Sequence, residues 1–106
     1  MKNKYKIPWH VRQFVKKELL DYKANKKLIK NYKGYTKGLL IATTRIEQIE
    51  RVFNNLNKED REAAELIFFE KKTQSGAEIA RGLSKAAYYN IMNKVIYLVA
   101  EEMDLI

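Results

Sequence analysis

Between residues 46 and 105 the apolar side chains return every three or four positions, and that period admits one kind of local structure. Ile46, Ile49, Phe53 and Leu56 follow at intervals of 3, 4 and 3, and Tyr88, Ile91, Val95 and Leu98 repeat the pattern, with Leu105 seven further on. At ~3.6 residues per turn such side chains line one face of an α-helix, whereas a half-buried strand needs strict alternation. Punctuation agrees: four Gly and one Pro in 106 residues leave too few turns for a many-stranded sheet. The expected fold is all-α, with about five helices.

Capping residues mark where each helix should begin. Pro8 suits a first turn, and from Trp9 to about Tyr32 the residues Val11, Phe14, Val15, Leu19, Tyr22 and Leu28/Ile29 stand among lysines, as in a basic amphipathic helix. Tyr32 to Gly38, with glycines at 34 and 38, reads as a loop. Thr44-Arg-Ile-Glu47 has capping-box form and should open the second helix. Asn57 can cap the third, with Glu59, Asp60 and Glu62 at the positive end of its dipole and Ala63, Leu66, Ile67 and Phe68 or Phe69 on its buried face. Ser75-Gly-Ala-Glu78 reads as another capping box, opening a helix of six or seven residues that closes at Gly82, and Ser84 caps the last helix. The chain divides on this reading into a basic helix and loop, residues 1–38, and a second unit, residues 39–106. No repeat of solenoid length is present.

Charge is divided unevenly along the chain. Residues 1–45 carry 13 Lys/Arg against 2 Asp/Glu, a balance of +11, whereas residues 46–106 carry 8 against 11, a balance of −3, which sums to the total of +8. A basic half favours a polyanion, nucleic acid before an acidic membrane surface. There is no cysteine, hence no disulfide and no thiolate metal site, and no apolar run approaches the ~20 residues that span a bilayer. A soluble protein of a reducing cytoplasm is expected, without metal or cofactor.

The segment Thr73–Asn93 carries the functional signal. A short helix, Gly82-Leu83-Ser84, and a longer helix form the pattern of a helix-turn-helix: a flexible residue, an apolar plug, then an N-cap. The fold places its second helix in the DNA major groove. The side chains that then face the bases are Lys85, Ala86, Ala87, Tyr89, Asn90 and Asn93. Asn can bond bidentately to adenine N6 and N7, and an Ala methyl can meet a thymine methyl. Phosphate contacts are expected from Lys71, Lys72, Thr73, Ser75, Arg81 and Lys94, and from the basic arm at Lys16, Lys23, Lys27 and Lys30, with Lys17, Lys26, Lys33 and Lys37 available beside them. Trp9 and the tyrosines at 5, 22, 32 and 35 read as packing anchors more readily than as base-stacking platforms. A helical hairpin with Tyr88 and Tyr89 in a core or a protein interface is the plain alternative.

Phe68-Phe-Glu-Lys-Lys-Thr73, Leu83-Ser-Lys-Ala-Ala-Tyr-Tyr-Asn90 and the run from Lys94 to Leu105 together resemble phage and prophage late-gene transcriptional regulators of the ArpU/RinA type, as does the preceding Ile49–Ile67 pair of helices. That family's C-terminal domain looks like the promoter-binding fourth region of bacterial sigma factors. The resemblance covers roughly residues 44–105 and departs at Arg81, which stands where the family carries a buried Leu. It implies a sequence-specific double-stranded-DNA-binding regulator that activates packaging and structural genes, with host RNA polymerase as a candidate partner. A single such module binds weakly, so a homodimer is expected, meeting through Val99, Met103, Leu105 and Ile106 and the N-terminal helix. The rival readings are a small helical protein-interaction module and the DNA-recognition subunit of a packaging terminase. Catalysis is not expected: His10 is the sole histidine and has no nucleophile pattern near it, and the carboxylates stand at helix starts.

Overall fold

The computed structural model describes residues 5–32 and 36–106. Among them the chain is all-helical, with six α-helices and one π-helical turn: α1 (Trp9–Leu20), α2 (Tyr22–Asn31), α3 (Lys37–Asn55), α4 (Lys58–Ala64) running into the π-turn Glu65–Phe69, α5 (Gln74–Arg81) and α6 (Lys85–Glu102). Residues 33–35, with Lys33 and Tyr35 of the expected loop, lie outside the described residues. No described helix is long and apolar enough to cross a membrane.

The core is built around α6, whose Tyr88, Met92, Val95, Ile96, Val99 and Ala100 are buried. Against it pack Val11, Val15 and Leu19 of α1, Ile49, Val52 and Phe53 of α3, and Leu66, Ile67 and Phe68 of the π-turn. Three consecutive apolar residues are buried in that turn because this short segment passes through the middle of the molecule and meets neighbours on all sides. Next to them Phe69 stacks on Phe53 at 4.7 Å and on Tyr22 at 4.3 Å, tying α2 to the core.

Several boundaries differ from the sequence expectation. The single helix expected over Trp9–Tyr32 is two, turned at Asp21, whose backbone (φ −88°, ψ 1°) leaves the helical region while Asp21 N–H still bonds Lys17 O. Neither Gly nor Pro marks the turn; it lets α1 follow α6 while α2 follows α3. Phe14, expected inward, is instead exposed with the Arg45 guanidinium 4.6 Å above its ring, and Leu28 is 59% exposed. Trp9 does not anchor packing, being 74% exposed. The helix expected to start at Thr44 starts at Lys37, because the Thr36 hydroxyl accepts the Leu39 N–H at 3.1 Å. Thr44 is therefore mid-helix, its hydroxyl donating to Leu40 O, and the expected boundary at 38/39 falls inside the first turn of α3. Val11, Val15 and Leu19 of α1 share the core of α6.

Asn57 caps α4 as expected, accepting from Asp60 N–H at 2.8 Å. In α5 the cap is Thr73, whose hydroxyl accepts from Gly76 N–H at 3.1 Å, so Ser75 lies inside an eight-residue helix and forms no capping box. The stripe of α6 is also turned: Met92 and Val99 point fully inward, while Ile91 and Leu98 are half-buried at its margin.

Candidate nucleic-acid interface

Two local caps set the geometry of the α5–α6 segment. Gly82 closes α5 in the left-handed conformation (φ +66°), its N–H bonded to Glu78 O at 2.8 Å, and Ser84 opens α6 by accepting from Ala87 N–H at 3.1 Å. Leu83 between them is half-buried against the core, the plug the pattern requires. Buried Ala77 is the contact residue of α5, which leaves Ile79 88% exposed and Arg81 on the outside. The helix phase is set by the turn: with Gly82 and Leu83 in place, Arg81 cannot occupy the inward position and instead donates to Glu62 at 2.6 Å.

Lys85, Ala86, Tyr89 and Asn90 are exposed, and Ala87 and Asn93 are half-exposed. They form the outward face of the first two and a half turns of α6. Tyr89 rests edge-on against Tyr88 at 5.1 Å, and the Tyr88 hydroxyl, buried with its ring, donates to Lys72 O at 3.0 Å. Burial raises the Tyr88 pKa, so the phenol stays protonated and keeps that bond. Further along, Tyr5 tilts against Tyr97 at 5.4 Å, so the open stretch of the helix ends near Asn93.

The ion pairs divide the cations expected at phosphates. Lys94 bonds Asp60 at 2.8 Å, which raises the lysine's pKa, and Arg81 bonds Glu62, which lowers that carboxyl. Both cations expected at phosphates are engaged in ion pairs inside the protomer. Arg51–Glu102, Lys26–Glu50 and Lys17–Asp21 are the remaining pairs among the described residues. Lys16, Lys23, Lys27, Lys30, Lys71, Lys72 and Lys85 make no ion pair among them. Thr73 spends its hydroxyl on its own helix, whereas Ser75 is exposed.

The structure also gives α1 a place that sequence reasoning missed. Arg12 reaches the Met92 sulfur at 3.8 Å, Lys16 lines a cleft with Tyr88 and Met92, and Tyr5 meets Tyr97, so α1 runs antiparallel beside α6. The basic N-terminal segment thereby flanks the outward face of α6. Of the residues expected at a self-association surface, Val99 is wholly buried in the protomer's own core and Met103 is half-buried under Arg45, while Leu105 and Ile106 are exposed, Leu105 beside Leu40 and Ile41 of α3.

Comparison with protein-family models, with curated proteins and with solved structures returned no match.

Proposed function

We propose that this protein is a sequence-specific double-stranded-DNA-binding regulator of transcription, reading the major groove with the outward face of α6. The observation that carries the reading is the segment Thr73–Asn93: two capped helices joined through a left-handed glycine, presenting Ala86, Tyr89, Asn90 and Asn93 on the outward face of α6, the polar side chains without a hydrogen-bond partner among the described residues. Asn90 and Asn93 are the candidates for bidentate bonds to adenine, and Ala86 is small enough for close approach to a base edge. Lysines that make no ion pair among the described residues, on α1, on α2 and before α5, supply the positive field. The resemblance to ArpU/RinA-type regulators extends the proposal to late-gene activation in a phage or mobile element, with host polymerase as a partner and no catalytic activity.

The double substitution Tyr89→Ala and Asn90→Ala tests this. Competition between selected and random duplexes should lose its preference by a factor of ten or more, about 1–3 kcal/mol per bidentate contact, while salt-sensitive binding to random duplex persists. Retained preference would remove α6 from the reading role.

The exposed apolar side chains Leu40, Ile41, Leu105 and Ile106 favour a second element of the proposal, a homodimer formed through the start of α3 and the C-terminal turn. A symmetric dimer would suit paired half-sites.

A further inference from the structure

Beside α6 lies a cleft of about 310 Å³ whose rim carries three lysines from two parts of the chain. Lys16 comes from α1, and Lys71 and Lys72 come from the link between the π-turn and α5; Phe68, Tyr88 and Met92 form its apolar floor. None of the three lysines has an ion-pair partner among the described residues, although Arg81 and Lys94 on the neighbouring helices both do. The cleft is thus a local excess of three positive charges set against a half of the chain that is otherwise acidic.

Two further observations show that the backbone at Lys71 and Lys72 is held in place. Lys71 adopts φ +54°, a left-handed conformation that a glycine would occupy at less cost. It is separated from the π-turn by Glu70, and the exit of that turn is tied back by Glu70 N–H to Glu65 O and by Lys72 N–H to Leu66 O. This irregular turn brings Lys71 and Lys72 to the edge of the cleft, and such turns often mark functional positions. Lys72 is fixed by its carbonyl, which accepts the Tyr88 hydroxyl from α6 at 3.0 Å. One hydrogen bond therefore couples the lysine rim to the helix that carries Tyr89 and Asn90.

We infer that Lys16, Lys71 and Lys72 form a clamp for the phosphodiester backbone of one DNA strand bordering the groove that α6 enters, with Tyr88 as the residue that positions it. The inference rests on the DNA-binding reading and adds the contact that sets register, since phosphate contacts orient a protein on the duplex without reading sequence. It also makes α1 part of the interface rather than a loose basic tail. A phosphate is the ligand that three lysines at one cleft suit, since each ammonium can give a charge-assisted hydrogen bond to a phosphate oxygen.

The test is the salt dependence of binding to a random-sequence duplex, measured by fluorescence anisotropy. Removing one lysine–phosphate pair should lower the log–log slope by about 0.9, so Lys16→Ala, Lys71→Gly and Lys72→Ala combined should lower it by about 2.7. Lys71→Gly alone carries a second readout: it relieves the positive-φ strain, so its melting temperature should rise while its slope falls. Tyr88→Phe should weaken binding several-fold with the slope unchanged, because the charges remain and only their placement is lost. Lys94→Ala, which removes a cation already paired, should leave the slope as it is. A triple variant with the wild-type slope would overturn the clamp and leave the DNA-binding reading standing. A wild-type protein indifferent to both duplex and salt would overturn that reading and the clamp with it.

Discussion

Two parts of the molecule built from similar helices differ in how much they bury. Around α6, residues from α1, the second half of α3, and the π-turn close a core in which Val15, Leu19, Phe68, Val95, Ile96 and Val99 have no exposed surface. From Leu20 to Arg45, by contrast, no described residue is buried, although this stretch includes all of α2 and the first half of α3 and carries Leu28, Tyr32, Leu40 and Ile41. Amphipathic sequence is present in both. The difference shows that a helical stripe becomes a core only where a third element covers it; two helices side by side leave half of each stripe in water.

What holds the α2–α3 pair is local and largely polar. Tyr22 donates to Glu50 at 2.6 Å while stacking on Phe69, and Lys26 donates to both Glu50, at 2.5 Å, and the Tyr22 hydroxyl, at 3.2 Å. The Lys26 ammonium, then the Tyr22 hydroxyl, hold the Glu50 carboxyl below its ordinary range, and the carboxylate in turn raises Lys26. Burial raises the pKa of Tyr22, helped by the bond to Glu50.

The contrast can be broken from either side. The largest effect is expected at Phe68→Ala, which leaves a cavity at the meeting point of three elements and should cost about 3–5 kcal/mol in denaturant unfolding. A loss under about 1 kcal/mol would show that the centre of the core lies elsewhere. Next comes Glu50→Gln, expected to cost about 1 kcal/mol or less because the group is partly solvated, and to speed hydrogen exchange in α2 ahead of α6. The sign with pH follows from the lowered Glu50 pKa: its contribution is complete above the unfolded carboxyl value of about 4.3 and is lost as pH falls through the folded value. Protection of α2 amides relative to their intrinsic exchange rate should therefore fall in the wild-type protein on acidification toward that of Glu50→Gln, which should show no such pH step. The smallest effect is Leu28→Ala, expected within about 0.5 kcal/mol for a chain that leaves this face uncovered. A larger loss, growing with protein concentration, would sharpen the comparison by showing that a second copy covers the α2–α3 face.

Legibility in the sequence divides along similar lines. Asn57, Gly82 and Ser84 were readable because each acts on backbone groups two to five residues away, and no distant contact competes. The outward face Lys85–Asn93 was readable for the same reason, since Ser84 sets where α6 begins and its first turns follow. Thr73 and Ser75 are both competent caps, and the choice between them depends on how the chain leaves the π-turn, through the left-handed Lys71 and the Lys72–Leu66 bond. The bend at Asp21 had no local signal at all. Arg81 and Lys94 looked like free cations because their acids, Glu62 and Asp60, lie 19 and 34 residues away.

The sequence by itself determined that the chain is helical, where three of its helices start or stop, and which side chains open the face of α6. These follow from the 3.6-residue period and from hydrogen bonds between near neighbours. Only the tertiary structure decided which of two apolar stripes on α6 points inward, since Ile91 and Leu98 compete with Met92 and Val99 and the packing of α1 and α3 selects the latter pair. It also decided which lysines remain without ion pairs and brought Lys16 beside Lys71 and Lys72. Those outcomes depend on contacts between residues far apart in the chain, and the energy of such contacts exists only once the helices have met.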